Sequence, residues 1–219
     1  MDGQAILKMY ERTRKMQGRG IKTFADAILY ADKAGRKIAG FLDLDFSGAS
    51  EEDIEAALMP VMRKAYGDAA RTAMKLQADK LVVLGIGIRS LDTEFDAGAL
   101  AEISADLVGR EVTAEYLGNL IAKHVVKGVD DVIQKNAEAN DSMGLTVHIV
   151  RTYSGRGLMQ DTKYAKDCEW CLSRCGEWTD YKTAKADGCF ERHPGCLCKI
   201  DYQVGKIHTR SSGSGWQQG

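Results

Sequence analysis

All six cysteines of this 219-residue chain fall between positions 168 and 198, and this cluster restricts the possible folds more than any other feature. A short segment so rich in thiols is usually stabilised by a bound metal or by disulfides, because it buries little apolar surface of its own. The first residues, Met1 to Arg12, interleave charged and apolar side chains and predict no secretory signal peptide. We therefore expect a reducing cytosol, which favours metal binding over disulfides.

The cysteine spacing predicts a metal site built from two separate segments. Cys168 and Cys171 form a C-x-x-C pair, whose two sulfurs can face one ion from a tight turn. The second pair is C-x-C, and in a regular strand its residues would lie roughly 7 Å apart. A bend at Pro194 and Gly195, just before this pair, would bring the donors together. Five residues are candidates for the four positions of a tetrahedral site: Cys168, Cys171, His193, Cys196 and Cys198.

Thiolate-rich donor sets favour zinc over magnesium, calcium or manganese, so we expect structural zinc with no open coordination position. Two alternatives stay open: reduced, half-buried cysteines without metal, and a disulfide formed in an oxidised particle. A thioredoxin-like redox motif fits poorly, because no βαβ unit precedes the C-x-x-C pair. Cys175 and Cys189 are spare residues that could serve as alternative ligands or pack beneath the site.

Residue patterning predicts an α+β protein with a mainly helical part over 1–143, a Cys/His knuckle module over 144–208 and a flexible tail over 209–219. Ser50 before three acidic residues indicates a helix start, and apolar stripes predict further helices over 97–108 and 112–139. Alternation with period two predicts strands over 145–153 and 197–204. The run from Leu81 to Ile88 fits a helix end, a strand or a loop equally well.

Several classes of function find no support in the sequence. The net charge of -1 gives no overall attraction to nucleic acid or to anionic membranes, and no apolar run approaches the roughly 20 residues that span a bilayer. His124 and His148 are interpreted as core residues, and the adjacent Asp130 and Asp131 point in different directions along a helix. The aromatic residues near the cysteines are interpreted as core rather than as a platform for bases. We therefore expect neither an enzyme nor a small-molecule substrate.

The C-terminal third resembles the phage minor head proteins related to the F protein of phage Mu. The resemblance rests on 144–151, the C-x-x-C pair, Gly176, the segment from Phe190 to Cys198 and the residues 200–202 that follow it. Gly195 and Leu197 stand where Asn and Arg are typical of that family. About 60 residues carry the match, in the family's order and after a long helix.

The resemblance implies a structural virion protein of a tailed bacteriophage, present in few copies and acting in head assembly near the portal. Its expected partners are portal and capsid proteins, with packaged DNA as a further one and a role in DNA packaging or ejection. The expected location is the virion, and the host cytoplasm during assembly. The alternative is a zinc module that binds nucleic acid or acts as a nuclease, although only His208 follows the cysteine cluster as a catalytic candidate.

Overall fold

The computed structural model describes residues 2–14, 20–83, 85, 90–154 and 168–205. Within these residues five helices come first: α1 (Gly3–Arg14), α2 (Phe24–Ala39), α3 (Glu51–Val83), α4 (Gly98–Leu107) and α5 (Ala114–Ser142). The elements that follow are β1 (Val147–Thr152), α6 (Glu169–Leu172), β2 (Gly176–Trp178), α7 (Tyr181–Ala186) and β3 (Lys199–Val204). The predicted α+β class, a mainly helical part followed by a small β-containing knuckle, is confirmed.

Side-chain caps fix where the long helices begin. The Ser50 hydroxyl accepts the backbone N–H of Asp53 at 3.1 Å, and the Asp53 carboxylate accepts the hydroxyl of Ser50 at 2.8 Å. Thr23 and Asp26 form the equivalent capping box before α2. These bonds satisfy N–H groups that have no partner within the first turn of a helix. The predicted helix start at Ser50 is therefore confirmed, and α3 continues through Pro60.

Helix α5 lies at the centre of the structure, in contact with α2, α3 and the sheet. Its predicted apolar stripe is buried: Leu117, Leu120, Ile121, Val125, Val129, Val132 and Ile133. Gly35 of α2 lies so close that a Cβ atom there would sit 2.4 Å from the Cα of Ala122. A glycine is required at this contact because the two helix backbones touch.

The sheet is antiparallel in the order β2-β1-β3. β1 and β3 match the predicted strands, whereas the three-residue β2 carries no alternation long enough to predict. Val147, Ile149 and Arg151 of β1 are buried, so a charged residue takes the third inward position. Lys80, near the end of α3, donates hydrogen bonds from Nζ to the Tyr202 carbonyl and to Asp201 Oδ1, each at 2.9 Å. These bonds connect β3 to α3.

One continuous cluster of buried apolar residues includes side chains from the helices and from all three strands. The change from helices to strands falls close to residue 143, as expected, while the division into separate domains stays a prediction. Among the described residues no helix is long and apolar enough to cross a membrane. The predicted tail 209–219, His208 and most of the ambiguous run after Val83 lie outside the described residues.

Candidate metal centre

The two halves of the predicted metal site occupy a short helix and a loop that meet at one end of the sheet. Cys168 is the N-cap of α6, and its sulfur accepts the backbone N–H of Cys171 at 3.4 Å. The backbone N–H of Cys168 donates to the hydroxyl of Tyr153, just after β1, at 3.3 Å. The C-x-x-C segment therefore forms a single capped helical turn tied to the sheet.

The second half reaches the first through the predicted bend. Gly195 has a φ of 80°, a left-handed conformation that favours glycine, and the N–H of Cys196 closes a turn onto the His193 carbonyl at 3.1 Å. Cys198 follows immediately before β3. The bend at Pro194 and Gly195 is thus confirmed as the feature that folds this segment back towards α6.

All five predicted donors come together. His193 Nε2 lies 3.0 Å from Cys171 Sγ and 3.3 Å from Cys168 Sγ, and Cys171 Sγ lies 3.6 Å from Cys196 Sγ. Two groups of three donors form, each with its atoms within 4.8 Å of one another: Cys168, Cys171, His193 and Cys171, Cys196, Cys198. Bonds of about 2.3 Å to a tetrahedral zinc place two sulfurs about 3.8 Å apart. The observed spacing is close to that value, and Cys171 is common to both groups.

His193 presents a lone pair to the thiols. Its Nδ1 lies 2.8 Å from the Pro194 carbonyl oxygen, which can only accept, so we assign the ring proton to Nδ1. Nε2, facing the two sulfurs, is then unprotonated. Metal-binding histidines usually donate their other N–H to a carbonyl or carboxylate in this way. The ring of Trp170 packs edge-on against His193 at 5.1 Å between centroids and restricts its orientation.

Two buried arginines, which the sequence analysis missed, surround Cys196. Arg151 Nη2 lies 3.5 Å and Arg192 Nη1 3.7 Å from the Cys196 sulfur. Arg192 also forms an ion pair with Asp130 of α5 in which both side chains are almost fully buried. Arg192 sits in a run of mixed charges, and nothing in its local sequence distinguishes it from a solvated arginine. For Arg151 the period-two alternation was an available signal, because it places this residue on the same strand face as Val147 and Ile149.

The charges around the thiols are unequal. A hydrogen bond from the Cys198 thiol, together with the positive charges of Arg192 and Arg151, lowers the pKa of Cys196 to about 4. Burial, followed by the negative charge at Cys196, raises the pKa of Cys171 to about 12, and the shared hydrogen bond raises the pKa of Cys198 as well. Among Cys171, Cys196 and Cys198, negative charge is therefore favoured at Cys196, where the two guanidinium groups lie, and disfavoured at the other two unless a cation is present.

The donor set fits a thiophilic metal ion. Soft sulfurs and one imidazole converge, and the two groups of three donors contain no carboxylate. Such a set suits zinc and disfavours magnesium or calcium. A Cys-rich cluster able to hold a metal ion is thus present.

The spare cysteines separate into two environments. Cys189 is completely buried in the main hydrophobic core, where burial raises its pKa to about 12, whereas the partly exposed Cys175 packs against the metal cluster. Neither belongs to the two groups of metal-competent donors found among the described residues. Of the four aromatic residues interpreted as core, Trp178 and Tyr181 are buried in the main core, whereas Phe190 is partly buried against it and Trp170 is partly buried beside the cysteines.

The remaining candidates among the described residues do not form a second centre. His124 is 3% exposed, and neither ring nitrogen has a hydrogen-bond partner among the described residues. His148 lies on β1 with its side chain 41% exposed, 3.5 Å from Glu177, so its interpretation as a core residue is wrong. Asp130 and Asp131 face different partners, Arg192 and Lys127, as their adjacent helix positions predict.

Comparisons of the chain with models of protein families, with curated proteins and with solved structures find no match.

Proposed function

We propose that this chain is a structural minor head protein of a tailed bacteriophage whose C-terminal Cys/His cluster binds one zinc ion. The observation that supports the proposal best is the convergence of Cys168 and Cys171 with the segment His193 to Cys198 at the end of the sheet. These are the residues on which the resemblance to the Mu F-related proteins rests. The protein acts near the portal, in few copies, and its partners are portal and capsid subunits.

Zinc has a structural role in this proposal. The donors outnumber the four positions of a tetrahedral zinc, so no position is left for substrate. The segment between β1 and β3 has little regular structure in the described residues, with α6, β2 and α7 spanning only a few residues each. A metal that binds two distant parts of such a segment stabilises the folded state directly, because the unfolded chain has no assembled site.

A rigid C-terminal end suits a protein that docks within a larger assembly. The long helices form one core with the sheet, and the metal cluster lies at the sheet end where α6 and the His193 loop meet. If the Cys/His segment is already folded before assembly, binding to a partner does not carry the entropic cost of ordering this segment. The packaged DNA is a further partner in this proposal, through packaging or ejection.

The zinc part is tested by elemental analysis of the purified full chain, followed by chelation. We expect about one zinc per chain, and we expect chelation to unfold the Cys/His segment while most of the helical circular-dichroism signal remains, since the helices have their own buried stripes. Protein that folds without zinc and whose thiols all react freely with a thiol reagent would overturn this part.

The biological part is tested in the phage itself. The protein should be found in purified virions at far lower copy number than the major capsid subunit, and deletion of its gene should yield heads with less DNA or lower infectivity. Absence from both procapsids and virions, or abundance equal to that of the major capsid subunit, would reject the assignment even if zinc is bound.

A further inference from the structure

Arg151 is the largest side chain of the structure that is almost completely buried, with 2% of its surface exposed. Its Nη1 donates to the carbonyls of Gly188, Cys189 and Glu191, the first at 3.3 Å and the others at 2.7 and 2.6 Å. Its Nη2 lies 3.5 Å from Cys196 Sγ. The guanidinium thus holds the segment from Gly188 to Glu191 through Nη1, while Nη2 donates to the sulfur of Cys196.

Arg192 contacts the same sulfur from the loop that carries Cys196, four residues earlier in the chain. Its Nη1 donates to the carbonyl of Cys198 at 2.9 Å and to that of Cys196 at 3.2 Å, and it lies 3.7 Å from Cys196 Sγ. Its other nitrogens bind the carboxylate of Asp130. Cys196 is therefore surrounded by two guanidinium groups, only one of which has a carboxylate partner among the described contacts.

Charge balance distinguishes the possible ligand sets. Among the described residues the buried charged side chains around the cluster are Arg151, Arg192 and Asp130, which together carry one positive charge. A divalent ion bound by three thiolates and one neutral imidazole carries one negative charge, and the site as a whole is then neutral. Four thiolates would leave an uncompensated negative charge among buried groups, which is costly in a medium of low dielectric constant.

We propose that Arg151 and Arg192 are positioning residues of the metal centre, which hold Cys196 as a thiolate ligand in a neutral site completed by Cys168, Cys171 and His193. This inference rests on the proposed zinc function. The two guanidinium groups donate hydrogen bonds to Cys196 Sγ and neutralise its negative charge. Cys168, Cys171 and His193 supply the other three ligands of the metal. Cys198 then contributes as a buried thiol beside the ligands.

The first test uses the unaltered protein loaded with zinc. X-ray absorption at the zinc edge should show three sulfurs at about 2.3 Å and one nitrogen at about 2.0 to 2.1 Å. Four sulfurs would overturn the neutral ligand set. Cobalt-loaded Cys198→Ser should keep the charge-transfer intensity of three thiolates, whereas Cys196→Ser should lose about one third of it.

The second test addresses the arginines through metal affinity and through the sulfur-to-cobalt charge-transfer bands. Arg151→Met should bind cobalt roughly 10 to 100 times more weakly, as is usual when a group bonded to a ligand is removed. Its bands should also move to lower energy, because a sulfur that accepts fewer hydrogen bonds gives up electrons more readily. Arg151→Lys retains the charge and should recover part of both effects.

The matched control is Arg174→Met. Its guanidinium stacks on Trp170 at 4.0 Å and binds Glu191, close to the centre, but among the described residues it forms no hydrogen bond to a sulfur. It should alter affinity less than about fivefold and leave the bands in place. Equal spectra for Arg151→Met and wild type would overturn the positioning role while leaving zinc binding intact. A wild-type protein that binds no metal would instead reject the proposed function.

Discussion

Arg192 and Asp130 form a two-pronged ion pair in the interior of the protein, with Nη2 donating to Oδ1 at 2.9 Å and Nε donating to Oδ2. The side chains are 4% and 3% exposed. Asp130 lies in the middle of α5 and Arg192 lies next to His193, so the pair joins the central helix to the metal centre.

Breaking this pair from one side should be severe. Asp130→Leu leaves the Arg192 guanidinium buried without its carboxylate partner, and we expect a loss of about 3 to 5 kcal/mol in the free energy of unfolding. The double variant Asp130→Leu with Arg192→Met removes both charges and should lose less than the single one. Denaturant unfolding measures the stability of the single and the double variant.

The control is Asp79→Ala, which breaks the exposed pair with Lys75 and should cost less than about 1 kcal/mol. An equal loss of stability in Asp130→Leu and Asp79→Ala would contradict the prediction.

His124 should make stability depend on pH. Burial, aided by the positive charges of Lys123 and Lys127, lowers its pKa from 6.5 to about 4. Between these two values the unfolded chain binds a proton that the folded chain does not, so this contribution is complete above pH 6.5 and is lost as the pH falls towards 4.

The variant His124→Leu should therefore show a shallower loss of stability between pH 6.5 and 4, with a difference of up to about 3 kcal/mol. It should also be at least as stable as wild type at pH 7.5, because two unpaired buried nitrogens disappear. Both proteins should be unfolded at equal zinc content. The titration of the candidate metal ligands then affects both free energies of unfolding equally and cancels in their difference. His148→Leu, at a side chain 41% exposed, is the control for loss of an imidazole. Parallel pH curves for His124→Leu and wild type would refute the prediction.

The contact between Gly35 and Ala122 should tolerate no methyl group. In Gly35→Ala the new Cβ would lie 2.4 Å from the Cα and 2.7 Å from the N of Ala122, so the helices must separate. We expect a loss of about 2 to 3 kcal/mol by thermal or denaturant unfolding. Gly67→Ala is matched as a helical glycine whose nearest neighbour would be Arg71 Nη1 at 3.5 Å. It should be neutral or stabilising by up to about 1 kcal/mol, and the same loss at both positions would argue against backbone contact as the cause.

The spare cysteines should behave differently from each other. Cys189 is fully buried in the main core, so Cys189→Ser places a hydroxyl there and should cost about 1 to 3 kcal/mol. Cys175→Ser, at a partly exposed position, should change stability little. Zinc content should stay at the wild-type value in both variants. Loss of one zinc equivalent in either would identify that residue as a ligand and would contradict the donor set described above.

Binding to duplex DNA should be weak or undetectable at physiological salt. Arg151 and Arg192 are buried, and Arg174 is paired with Glu191, so the guanidinium groups near the metal centre are poorly placed to contact phosphates. Fluorescence anisotropy across a salt series measures this directly. A steep fall of affinity with rising salt, or DNA cleavage that His193→Ala abolishes, would favour the nucleic-acid alternative.

The cysteine and histidine spacing, the bend at Gly195, the start of α3 at Ser50 and the strands β1 and β3 could all be predicted from the sequence. Each depends on residues close together in the chain: a cap acts over three positions, a strand alternates with period two, and a C-x-x-C pair forms within one turn. Local order of this kind is readable without knowledge of the rest of the fold.

Only the tertiary structure decided what surrounds the metal donors. Asp130 and Arg192 are 62 positions apart in the sequence, and Arg151 reaches Cys196 across 45. Arg192 has the local sequence of a solvated arginine, and the packing of α5 against the rest of the fold determines that its partner is Asp130. The candidate metal ligands could therefore be identified from short-range spacing, whereas the contacts of Arg192 and Arg151 with the cluster depend on long-range packing.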